Sequence, residues 1–254
     1  MRVRKERSTL PTTVSSNLNG GFMKTSTTPR AKQLGADRAL VLSILVSVVL
    51  QYTPWLTYIA YPLRLLVTFI HEGCHALATI ATNGSVQAIS IMPDGSGLTK
   101  THGGFSPLIA SAGYLGTTLY GALMLWLLRR GVSGHKLIGA TAAAVGLATL
   151  ASIRDPFSLL CGLLITVGLI ALASKLPRDA SAWLASFVGA QFVMNALIDV
   201  KTLFELSLTS STPTDAQNMA SLTLIPAIVW ATLWLLLSLW INWKLVFRPT
   251  LFKK

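Results

Sequence analysis

The stretch AYPLRLLVTFIHEGCHALATIAT, residues 60–82, decides how the rest of the chain is read. It is apolar enough to cross a bilayer as a helix, for which roughly 17–25 residues suffice, yet His71, Glu72 and His75 sit inside it. Ionisable groups within a spanning helix are costly to bury and mark function. Histidines four apart on a helix project about 40° from each other, one turn apart, so both imidazoles reach one Zn²⁺ at about 2.0–2.1 Å. Glu72 lies about 100° round from His71, off the metal but near enough to take a proton from water, the general-base role in an H-E-x-x-H helix. The plainer alternative is a buried histidine pair bonded to neighbouring helices, with Glu72 reaching water; three ionisable groups within five residues argue against packing alone.

Composition agrees with a membrane setting. Of 254 residues, 52% are hydrophobic and 12% charged, with mean hydropathy +0.59, where a soluble domain carries about a quarter charged residues. The 21 Lys+Arg against 9 Asp+Glu give +12. Eight of the basic residues precede residue 39, so this charge reads as a tail beside anionic lipid and excludes a folded nucleic-acid groove. Cys74 and Cys161 have no paired spacing, which excludes a disulfide framework and a cysteine zinc module.

Residues 1–38 read as a disordered basic arm, with an organelle transit peptide as the alternative. Residues 39–246 form the membrane domain and 247–254 a basic C-terminal tail. Apolar runs recur at approximately 39–57, 60–82, 106–128, 136–153, 157–174, 182–205 and 219–243, so the expected fold is an all-α, multi-pass bundle of about six to seven transmembrane helices. Trp55, Trp126, Trp183, Trp240 and Trp243 fall near predicted span ends, as an interfacial belt would place them. The basic residues of both termini ask for the cytoplasmic side, which seven full spans forbid; an N-tail inside is the expected topology. Residues 83–104, rich in glycine around Pro93-Asp94-Gly95, are no span and read as a short β-hairpin or a polar loop.

A catalytic zinc site takes a third protein ligand and an open position. Asp199 is the acid that lies clearly inside an apolar helix besides Glu72, with Asn195 one turn before it on the same face. Asp199 as ligand, with Asn195 positioning substrate or itself ligating, competes with a helix-end Asp199 paired to Lys201. Asp155 reads as a turn or loop ion pair before Pro156, Asp94 and Asp215 as solvated turn and pre-helix residues, and His102 as a loop histidine. Ala112/Gly116 and Thr117/Gly121 place small residues at four-residue spacing, which lets another helix come close; the motif helix is the expected partner. Arg64, seven residues before His71, shares nearly its face and is expected to snorkel.

The chain resembles the site-2-protease-type intramembrane zinc metallopeptidases, in their compact branch. The resemblance is carried by His71 to Ala78, by Pro93-Asp94-Gly95-Ser96-Gly97 leading to Gly103-Gly104, by Ala112-Gly113-Tyr114-Leu115-Gly116, and by Asn195 to Asp199. It covers most of residues 60–240. It implies zinc held by His71, His75 and Asp199, Glu72 as catalytic base, Asn195 near the substrate, and cleavage of peptide bonds in membrane proteins or peptides. It also implies an extended edge, here residues 84–102, that receives unwound substrate by strand addition. The family's usual proline and following glycine are missing around Asp199, which is followed by Val200.

Three function classes follow: a zinc endopeptidase, a non-catalytic relative that binds membrane partners, and a metal transporter, against which stands the lack of an inverted repeat. The expected surroundings are a lipid bilayer, in a bacterial-type plasma membrane or alternatively an organelle membrane, with no nucleic-acid partner. Substrate identity and oligomeric state are not encoded in these motifs.

Overall fold

The computed structural model describes residues 41–50, 53–209 and 214–247, and for residues 54, 57, 195–209 and 247 it describes the backbone alone. The expected arm at 1–38, and all of the expected tail after residue 247, lie outside the described residues. Within them the protein is an all-α bundle with one β-hairpin: α1 (Val41–Leu50), α2 (Thr57–Ala81), β1 (Ser85–Ile91), β2 (Gly97–His102), α3 (Ser106–Arg129), α4 (Gly134–Ser152), α5 (Pro156–Lys175), α6 (Arg178–Thr209), α7 (Asp215–Thr223) and α8 (Ala227–Asn242), the last extended by a π-helical turn, Trp243–Phe247.

Among the described residues three helices are long and apolar enough to cross a membrane: Ser106–Arg129, Pro156–Lys175 and Ala227–Val246. The chain is a membrane protein. Helices α2, α4 and α6 fill the bundle beside them, with more ionisable, hydroxyl and small residues, so hydropathy marks fewer spans than the run count suggested.

α2 ends where Asn83 adopts φ 61° and the Gly84 N–H donates to the Thr79 carbonyl at 2.8 Å, a left-handed stop that asparagine tolerates. The chain then turns back as the hairpin. β1 and β2 pair antiparallel from Ser85↔His102 to Ile91↔Gly97, with an irregularity between Val86 and Ala88. At the tip Gly95 takes φ +85°, and the Asp94 carboxylate accepts the Ser96 N–H and hydroxyl at 2.9 and 2.6 Å. Those bonds hold the Asp94 carboxyl below the usual carboxylate range.

The hairpin lies lengthwise on α2. At its base a Cβ on Gly84 would meet the Gly103 backbone at 3.0 Å; at its tip Tyr61 donates to the Pro93 carbonyl and Thr68 to the Gly95 carbonyl, both at 2.7 Å. Arg64 is exposed, and its guanidinium end lies against Gly95 at the hairpin tip. The outer edge of β1 is occupied: Ile89 bridges Ile153, and the Ser158 hydroxyl both receives the Ile91 N–H at 2.7 Å and donates to the Ile91 carbonyl at 3.2 Å. Asp155 caps α5 by accepting the Ser158 N–H at 2.8 Å.

α3 is the central helix, and its small residues face two partners. Gly116 meets α2, as expected, and Gly113 beside it does too; Gly121 meets Phe192 and Gly189 of α6 instead. On a third face Thr118 donates to Ser238 of α8 at 2.9 Å, an interhelical bond worth about 0.6 kcal/mol in membrane proteins.

Candidate metal centre

His71 and His75 lie on α2, fourteen and eighteen residues after its first residue and well away from its ends. Both Nε2 atoms face one carboxylate oxygen, Oδ2 of Asp215, at 3.3 and 3.2 Å. The three ligand atoms lie within 4.8 Å of one another. Tetrahedral ligands at about 2.0–2.1 Å from zinc are about 3.3 Å apart, so the two imidazole–carboxylate separations match a zinc-sized gap.

The donor chemistry agrees. His75 Nδ1–H donates to the Ile109 carbonyl at 2.6 Å, which leaves the Nε2 lone pair of the neutral ring aimed inward, the arrangement by which outer partners orient metal-ligating histidines. A lone pair pointing at a carboxylate is repulsive unless a proton or cation lies between them. Zinc thus fits the residues present, in distance and in donor type. Gly113 leaves the room: a Cβ there would stand 2.2 Å from His71 Nε2 and 2.4 Å from His75 Nε2.

Asp215 reaches this position through α7. Thr214 caps the helix by accepting the Gln217 N–H at 3.2 Å, and Ala216 and Met219 pack with Ala110, Ala231 and Trp234 into a small apolar cluster. Trp234 stacks on Tyr114 at 5.3 Å, and Tyr114 meets the His71 ring edge-on at 4.8 Å. The Trp234 indole N–H donates to Ser111 at 3.2 Å. Thus α7, α8 and α3 jointly hold the carboxylate and one imidazole.

Glu72 is buried, 5% exposed, on the α2 face covered by the hairpin. Thr99 of β2 donates to Glu72 Oε2 at 2.7 Å, and a Cβ on Gly97 would stand 2.5 Å from Oε1. The carboxylate is therefore packed against β2 while the imidazoles face α3 and α7.

His71 and His75 thus converge on one oxygen, one turn apart, while Glu72 lies on a different face of α2. The solvated reading of Asp215 is corrected: its side chain is 21% exposed and sits between two imidazoles. Asn195 and Asp199 belong to the α6 backbone, but their side chains lie outside the described residues. His102 is exposed. Asp215, Thr99, Gly113 and the Ile109 carbonyl were not found from sequence. For Asp215 one signal was present: Thr214-Asp-Ala-Gln217 is a helix-start pattern of the S/T-x-x-E/Q kind, which places the acid in the first turn of a helix.

A family model described as Peptidase M50B-like matches residues 40–245. No curated protein matches the chain, and no solved structure does.

Proposed function

Since the chain belongs to the peptidase M50B-like family, we propose that it is a zinc-dependent intramembrane endopeptidase whose metal is held by His71, His75 and Asp215. The observation that carries this reading is the convergence of three lone-pair donors from two distant parts of the chain on a gap of zinc dimensions. The family supplies the coarser frame, a membrane metallopeptidase of the site-2-protease type. In this reading Asp215 takes the ligand place that the apolar-helix position and the family resemblance gave to Asp199. The substrate-positioning role of Asn195 rests on that resemblance and on its helical spacing.

When bound, the zinc supplies Lewis acidity that lets water ionise near neutral pH. Two neutral imidazoles and one carboxylate leave such a site about +1, which preserves that acidity. Glu72 takes the proton from the attacking water and passes it to the amine nitrogen as the peptide C–N bond breaks, while the hydroxide oxygen stays on the new carboxyl group. Thr99 holds Oε2 in place, and the hairpin shields the carboxylate from bulk solvent.

The hairpin also offers a docking edge. β1 is closed on its outer side by Ile153 and Ser158. Among the described residues the outer edge of β2 has no backbone partner, and β2 is the strand that carries Thr99 against Glu72. An unwound substrate segment added to β2 would run beside the general base.

The test is metal analysis and cleavage of a transmembrane-helix reporter by purified protein in nanodiscs. Glu72→Gln is expected to keep one zinc per chain and to cut at least about a hundredfold slower. Asp215→Ala is expected to lose zinc, and Asp199→Ala to retain it. Undiminished proteolysis by Glu72→Gln rejects the mechanism; zinc lost from Asp199→Ala but kept by Asp215→Ala rejects the ligand assignment. Full physiological complementation by Glu72→Gln in cells would favour a non-catalytic, partner-binding relative.

A further inference from the structure

We propose that the protein binds a phosphate-bearing anion, supplied by the headgroup of an anionic phospholipid, in a basic pocket between the α3–α4 and α5–α6 turns. The pocket has a volume of about 360 Å³ and is lined by Arg130, Gly131, Val132, Ser133, Lys136 and Arg178. It is separate from the metal centre: from Gly113 to Arg130, α3 rises about 25 Å at about 1.5 Å per residue.

Three cations from two separate parts of the chain meet at this cavity, and among the described residues no acid lines it. Among the described residues no carboxylate pairs with Lys136 or Arg178. Like charges gathered at a concavity repel, and a bound anion removes that repulsion. The guanidinium groups of Arg130 and Arg178 present planar N–H forks that suit phosphate oxygens, and Lys136 adds a point charge.

The surroundings favour a lipid as the source. Arg130 lies over the Trp126 ring, 4.7 Å from its centroid, in the last turn of α3. Trp183, 42% exposed, follows in the second turn of α6 and stacks on Phe187. Tryptophans at helix ends sit at the headgroup level of a bilayer, and basic pockets between membrane helices at that level take anionic headgroups. The walls are also mechanically joined: a Cβ on Gly134 would clash with the Ser181 carbonyl of α6, and His135 Nε2–H donates to the Leu176 carbonyl at 2.9 Å. An anion held by Arg130, Lys136 and Arg178 would bridge the starts of α4 and α6.

The experiment compares full-length protein in phosphatidylcholine nanodiscs with and without phosphatidylglycerol, reading retained lipid by native mass spectrometry. A second arm titrates inorganic phosphate into delipidated protein in neutral detergent. The wild type is expected to retain phosphatidylglycerol over phosphatidylcholine, and Lys136→Ala/Arg178→Ala to bind it about thirtyfold more weakly. Lys175→Ala/Lys244→Ala, which removes equal charge outside the pocket, is expected to retain it, as is Lys136→Arg. Phosphate binding that depends on Lys136 and Arg178, without phosphatidylglycerol preference, keeps the pocket but overturns the lipid source. Equal lipid and phosphate binding by wild type and the pocket variant, or equal loss in the control pair, overturns the proposal. Both pocket side chains are exposed, so the variants are expected to fold, and unchanged reporter cleavage in phosphatidylcholine confirms it.

Discussion

Helix α5 and the seam between α2 and α3 show opposite uses of the same membrane environment. The α5 span has a hydropathy of 2.3 and only 17% of it is buried within the protein; the α3 span has 1.4 and is 50% buried. α2, which carries the histidine pair, is not among these apolar spans. In water the most apolar helix is drawn to the core by the hydrophobic effect. In lipid no such pull exists between helices, and association comes from close packing and hydrogen bonds. The least hydrophobic helices therefore end up inside, where polar groups find partners, and the most hydrophobic one faces lipid.

The strongest test of this contrast is a side chain forced into the seam. Gly113→Leu is expected to abolish zinc binding, since even a Cβ overlaps both imidazoles; a normal zinc content by mass spectrometry would show that the seam opens freely. Next in size, Thr99→Val removes the hydroxyl bound to Glu72 Oε2 and should slow cleavage about tenfold or more with zinc retained, as expected for a hydrogen bond to a charged group. Gly162→Val should destabilise the α4–α5 pair by about 1–3 kcal/mol, because Gly162 faces the Thr149 hydroxyl; unfolding midpoints in mild detergent would read it. Smallest of all, Leu164→Ala, at a position 63% exposed on the same helix, should shift stability by no more than about 0.5 kcal/mol. Equal effects at 162 and 164 would erase the distinction between the two faces of α5.

The same contrast separates what was legible in the sequence from what was not. His71, Glu72 and His75 are related by helical spacing alone, so their placement follows once α2 is a helix. The hairpin followed from its turn residues, and the α2–α3 contact from the Ala112/Gly116 spacing, whose Gly116 meets Cys74. Asp215 did not, because its role is set by a fold-level meeting of α7 with α2, while locally it reads as a solvated residue before a helix. The apolar run at 136–153 forms α4, whose alanines, glycines and threonines serve packing against neighbouring helices, so its hydropathy alone does not mark it as a span. Thr99 was hidden because it contacts Glu72 from a strand whose register depends on the irregularity after Val86.

One consequence concerns biosynthesis. The imidazole of His71 and the carboxylate of Asp215 are 144 positions apart, and the acid arrives on α7, steadied by α8. On the proposed reading, a nascent chain that has not yet delivered residue 215 carries the H-E-x-x-H turn without the acid that completes its ion site, and is held inactive during synthesis without a separate inhibitor.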